Sequence, residues 1–146
     1  MPVLIPETYV PDLQLRMNLY RRLADLDDTA EIDAFGAELI DRFGALPDEV
    51  DSLLKVVFVK ALCRRANVEK VDAGPKGVVI AFRANNFANG AGLIRYIGEQ
   101  GSMAKVRPDQ KIVFIRDWER PVERLKGVAT ILTRLVRLVE AEQKAA

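Results

Sequence analysis

The chain has 146 residues, 49% hydrophobic and 29% charged, and its 22 basic and 21 acidic side chains leave a net charge of +1. Such a chain can bury a sizeable core and is neither disordered nor collagenous, and its near-neutral balance gives no global electrostatic pull toward nucleic acid or an anionic membrane. Histidine is absent and cysteine occurs once, at Cys63, which removes the commonest general base, the commonest metal ligand and any internal disulfide.

The opening, Val3-Leu4-Ile5-Pro6 through Val10-Pro11, predicts an extended arm over 1–11 that packs on the domain and continues from something longer, because each proline fixes its own φ and pushes its predecessor out of the α region. It lacks the basic start and the length of a signal peptide, and no apolar run approaches the ~18 residues that cross a bilayer. A soluble, cytoplasmic protein in a reducing setting is expected.

Asp12 is placed to cap a first helix, about 13–26, with Leu13, Met17, Tyr20, Leu23 and Leu26 at helical spacing. Asp12 and Arg16, at i and i+4, are expected to form a structural ion pair closing over the core edge, with the arginine stem on apolar surface. Asp27-Asp28 reads as a helix stop rather than an acid/base pair. Thr29 is expected to cap a second helix, about 30–43, ended by Gly44. Pro47 opens a third, to about 66, where Cys63 reads as a small packing residue.

From Val68 the period changes. Val68–Val71 and Gly77–Phe82 predict two strands around an Ala73-Gly74-Pro75-Lys76 turn. Asn89 is expected to cap a short helix, about 90–99, before Gly101. Ala104–Arg107 and Lys111–Ile115 predict two more strands, and Val122, Leu125, Val128, Ala129, Leu132, Leu135, Val136 and Val139 a last helix, about 121–142. Three helices followed by β-β-α-β-β-α argue an α+β fold, expected as a single compact domain over 1–146. Trp118 and Tyr96 read as packing aromatics.

No signature of catalysis emerges. There is no phosphate loop and no nucleophile elbow, and Gly90-Ala91-Gly92 with Gly98 misses the spacing of a dinucleotide fingerprint. The expectation is a non-enzymatic domain without metal or cofactor. On the second helix, Ile32, Phe35, Leu39 and Phe43 fall within about 80° of one another at 100° per residue. The opposite side holds Ala30, Ala34, Ala37, Glu38 and Asp41, so two carboxylates stand among alanine methyls, where a partner arginine can approach closely. From the residues alone an ordinary solvated helix face, with Arg42 nearby, is the favoured reading. Arg120, Arg124, Lys126, Arg134 and Arg137 give the last helix a basic edge. It motivates the alternative of an accessory DNA-binding module, although interspersed glutamates and the lack of interleaved aromatics favour a solvated face.

Three stretches together carry a resemblance: Leu4-Ile5-Pro6-Glu7-Thr8-Tyr9-Val10-Pro11-Asp12 with Arg16, Tyr20 and Arg21-Arg22-Leu23; Glu38-Leu39-Ile40-Asp41-Arg42-Phe43-Gly44 with Leu46-Pro47; and the Lys76–Ile80 strand before a short and then a long helix. The chain resembles the C-terminal domain of the bacterial transcription-repair coupling factors, the Mfd family, over nearly its whole length. The resemblance implies a parent protein that is an ATP-driven DNA translocase, with ATP and Mg in modules outside this chain, which displaces stalled RNA polymerase and recruits UvrA in nucleotide excision repair. It implies for this domain an autoinhibitory role, docking on the factor's own N-terminal UvrB-like module and masking the surface that UvrA binds. The family's acidic contact, carried onto this chain, falls on Glu38 and Asp41, with Ala34 and Ala37 as neighbours, and no direct nucleic-acid or membrane contact is implied. Where relatives can have proline opening the short helix, this chain has Gly90, with another glycine at Gly92, and the helix is expected to be frayed or shifted there.

Overall fold

A computed structural model describes residues 4–145. The chain divides into two compact units, Met1–Ala61 and Leu62–Ala146, with the boundary inside the third helix. They subdivide the span expected to form one domain. The α+β class and the element order are as the periodicities predict.

The first unit holds α1 (Leu13–Ala24), α2 (Thr29–Phe43) and the first four turns or so of α3 (Asp48–Ala66). Asp12 caps α1 by accepting the Gln14 amide at 3.0 Å. Asp28, not Thr29, caps α2, accepting the Glu31 amide at 2.8 Å. The aspartate one position upstream reaches the third amide of the helix, which leaves Thr29 as the first helical residue. The core gathers Leu19 and Leu23 of α1, Ile32, Phe35 and Leu39 of α2, and Val50 and Leu54 of α3.

The N-terminal segment closes this core, as Ile5 and Val10 are buried in it. It is not extended throughout: residues 7–9 form a turn in which the Pro6 carbonyl accepts the Tyr9 and Val10 amides at 3.0 and 3.1 Å. Met1–Val3 of the predicted arm lie outside the described residues. The Tyr9 hydroxyl donates toward the Leu39 and Gly44 carbonyls at 3.1 and 2.7 Å, where α2 ends. Tyr9→Phe removes the donor to those carbonyls and is expected to cost about 1 kcal/mol, read as a lower urea midpoint at unchanged m-value.

The second unit is a four-stranded antiparallel sheet, order β1-β2-β4-β3, of β1 (Val68–Gly74), β2 (Gly77–Phe82), β3 (Ala104–Val106) and β4 (Ile112–Ile115), with helices α4 (Gly90–Glu99) and α5 (Pro121–Ala145). Strand alternation buries Val78, Ile80, Phe82, Ile112 and Phe114, and α5 buries Val128, Ile131, Leu132, Leu135, Val136 and Val139. Tyr96 of α4 packs on Phe114, ring centroids 5.7 Å apart. The β1–β2 connection is the two-residue turn Pro75-Lys76, whose carbonyls accept the Trp118 and Arg116 amides at 2.8 and 2.9 Å.

The short helix is neither frayed nor shifted by its glycines. Asn89 caps it, its Oδ1 accepting the Gly92 amide at 2.9 Å, while its Nδ2 donates to the Leu138 carbonyl at 2.9 Å. A Cβ at Gly92 would run into that same Asn89 amide group. The glycine is what lets one side chain both cap α4 and tie it to α5.

Candidate functional site

The face under test is α2. Its inner stripe is buried as the helical projection requires, with Ile32, Phe35 and Leu39 at most 5% exposed. Going round the helix from that stripe, two different flanks appear on either side of the outward face.

One flank meets α3. Gly36 lets the helices approach closely, since a Cβ there would lie 3.3 Å from Leu54 Cδ1. Beside this crossing runs a largely apolar groove of about 420 Å³, lined among others by Ile32, Ala37, Ile40, Leu46, Leu54 and Phe58, with Asp33 and Asp51 also contributing. Ile40 is 50% exposed. Its position 80° from Ile32, at 100° per residue, puts it off the buried stripe, the one signal in the sequence that could have singled it out.

The other flank meets α1. Arg22 forks onto Glu38, Nη1 to Oε2 at 2.6 Å and Nη2 to Oε1 at 2.7 Å, and Arg42 adds a contact to Oε2 at 3.1 Å. The Arg22 guanidinium also lies 4.8 Å from the centre of the Phe35 ring. Glu38 is therefore not the uncompensated carboxylate that the projection suggested: its charge is matched within the chain by an arginine 16 residues upstream. The Arg22 hydrogen bonds, reinforced by Arg42, outweigh partial burial and hold the Glu38 carboxyl down at about 2, while Arg22, hydrogen-bonded to Glu38, is shifted up.

Because the Glu38 pKa lies below the ordinary 4.5, its contribution to stability is fully present above 4.5 and is lost as pH falls through about 2. With the side chain still 35% exposed, solvent screening limits that contribution to below about 1 kcal/mol. Glu38→Gln is expected to flatten the wild-type loss of stability between those two pH values, checked by urea midpoints at each end. An unchanged slope would mean that the pair contributes nothing.

Asp41 stands apart. It is exposed on the side carrying Ala34 and Ala37, both also exposed, and no ion pair or hydrogen bond engages its carboxylate among the described residues. It also lies in the last turn of α2, where the partial negative charge of the helix terminus disfavours an acid. A local electrostatic mismatch left without an internal partner is a feature that structure alone does not call for.

The other predicted positions fall elsewhere. Arg16, only 9% exposed, forms no pair with Asp12. It turns back to the arm, donating to the Val10 and Pro11 carbonyls at 2.8 and 3.0 Å and lying 3.6 Å from Glu7. Asp12 is engaged in capping, and the arm's free carbonyls are the stronger claim on a buried guanidinium. Arg120, just before α5, pairs with Glu123, and on α5 Arg124 donates to the Trp118 and Glu119 carbonyls and Arg134 pairs with Glu99. Three of the five basic side chains are thus engaged within the chain, while Lys126 and Arg137 make no such contact among the described residues. Cys63 is partly buried, and burial pushes its thiol up. Among the described residues no group of acidic or cysteine side chains has metal-binding geometry, and no helix is long and apolar enough to cross a membrane.

A model of the TRCF domain family matches residues 1–93, nearly two-thirds of the chain and the stretch that contains this face. The chain belongs to the TRCF domain family. Among similar proteins, the transcription-repair-coupling factor of Rickettsia bellii is 42% identical over 115 residues, covering 78% of this chain and 10% of that protein. The Escherichia coli factor is 30% identical over 135 residues, covering 92% of this chain and 12% of that protein. This TRCF chain thus spans about a tenth of the length of those relatives. Its fold is that of the crystal structure of the C-terminal domain of a transcription-repair coupling factor, with a TM-score of 0.80 over 97% of this chain and 91% of that one at 22% identity.

Proposed function

We propose that this domain is the regulatory C-terminal part of a transcription-repair coupling factor and works as an intramolecular clamp. It docks through α2 on the factor's N-terminal UvrB-like module and masks the surface that UvrA binds, as the family resemblance implies. In this reading the chain is a cytoplasmic binding module rather than an enzyme. ATP and Mg belong to translocase modules elsewhere in the parent, and RNA polymerase and UvrA act on the clamp from outside.

The observation that carries the proposal is Asp41: an exposed, unmatched carboxylate in the disfavoured last turn of a helix, beside Ala34 and Ala37, whose short side chains leave room for a partner's guanidinium. Glu38 lies three residues away and adds negative charge, but arrives already paired. A guanidinium on the partner is the matching group, because its fork satisfies a carboxylate that has no donor among the described residues. The test is docking measured for wild type beside Asp41→Arg, which is expected to weaken it while leaving the fold intact.

A further inference from the structure

We propose that Arg22 is an internal competitor on the docking face: it occupies Glu38 in the undocked domain, so that a partner's cation is received first by Asp41 and reaches Glu38 only by displacing Arg22. This rests on the docking reading above and adds to it the residue that sets how tightly the clamp closes.

The geometry supports competition rather than cooperation. The two-point fork of Arg22 on Glu38, at 2.6 and 2.7 Å, is the arrangement a partner arginine would itself adopt on a carboxylate. Both oxygens are taken, and Oε2 is shared with Arg42 at 3.1 Å. A further guanidinium can therefore take the two-point fork on Glu38 only as Arg22 leaves it. Arg22 is able to leave. Its side chain is 47% exposed, and the guanidinium rests beside the Phe35 ring at 4.8 Å, a contact that can persist after the carboxylate is released. A pair this exposed is weak enough to be exchanged reversibly. Arg42, next in sequence to Asp41, reaches back one turn to Glu38 instead, which leaves Asp41 as the open carboxylate of the two.

The test is a double-mutant cycle on the intact chain, titrated with the N-terminal UvrB-like module. Arg22→Met keeps an apolar stem over Phe35 and removes the competitor. It is expected to tighten docking about two- to fivefold, the range that an exposed ion pair supplies. Glu38→Gln is expected to weaken docking less in the wild-type background, where Arg22 already occupies the carboxylate, than in the Arg22→Met background, where it should cancel the gain because Glu38 is there free for the partner. Arg22→Lys, which keeps the charge but not the fork, should fall between wild type and Arg22→Met, and it guards against a methionine variant that folds poorly.

Equal or weaker docking by both Arg22 variants, with wild type binding and depending on Asp41, would overturn the competitor while leaving the docking reading in place. No docking by wild type or by any variant, even with the two modules tethered, would remove the docking reading and this inference with it.

Discussion

Gly77→Ala is expected to destabilise the sheet unit by about 3 kcal/mol or more. Gly77 has a φ of +133°, a region that side-chain-bearing residues rarely adopt. An added Cβ would overlap the Phe114 carbonyl and come within 2.9 Å of the Arg116 amide. Neither neighbour can yield easily. Gly77 is paired with Ile115 and Val78 with Phe114, while the Arg116 amide is held by the Lys76 carbonyl at 2.9 Å. Relieving the overlap therefore breaks the β2–β4 register at the turn that also anchors Trp118. Gly74, the other end of the same hairpin, meets nothing within 4 Å. Gly74→Ala should change stability by no more than about 1 kcal/mol in either direction. Trp118 is the sole tryptophan, so urea unfolding followed by its fluorescence reports on this unit directly. Similar midpoints for the two variants would contradict the close approach at Gly77.

The second large effect concerns docking. Asp41→Arg is expected to weaken association with the N-terminal module by roughly 1.5–3 kcal/mol, on the order of ten- to a hundredfold, the usual worth of a hydrogen bond to a charged group. The same change should leave the fold intact and even stabilise it slightly, by about 0.3–1 kcal/mol, because it exchanges an acid for a base in the last turn of α2. Opposite signs on folding and docking are the signature of a residue kept for a partner. Reversing Glu38 as well would blur that signature. An arginine at 38 would stand against Arg22 and Arg42, the two guanidiniums that Glu38 now neutralises, and would loosen α1 from α2 before any partner arrived.

Much of this molecule is legible in its sequence because most of its elements are amphipathic with a clear period. The stripe Ile32, Phe35, Leu39 fixed α2 and its buried side, and the alternation Val78, Ile80, Phe82 fixed the inward face of β2. Asn89 declared the start of α4 in spite of two neighbouring glycines. What escaped was decided by contacts between distant segments. The pairing of Glu38 with Arg22 joins residues 16 apart on different helices, so a projection of α2 alone sees an unmatched carboxylate. The choice of Arg16 for the arm carbonyls over Asp12 follows from its burial, which i, i+4 spacing does not encode. The groove beside Ile40 needs α3 laid against Gly36 before it exists. Asp41 is exposed, as the projection of α2 predicts, and no ion pair or hydrogen bond engages its carboxylate among the described residues.

The most direct test of the clamp is a calorimetric titration of this domain with the N-terminal UvrB-like module of the same factor, wild type beside Asp41→Arg, repeated with the modules tethered because docking within one chain gains effective concentration. The account predicts binding by wild type and a clear loss in a variant that melts no lower than wild type. Equal binding by the two proteins, or none by wild type even when tethered, would contradict it.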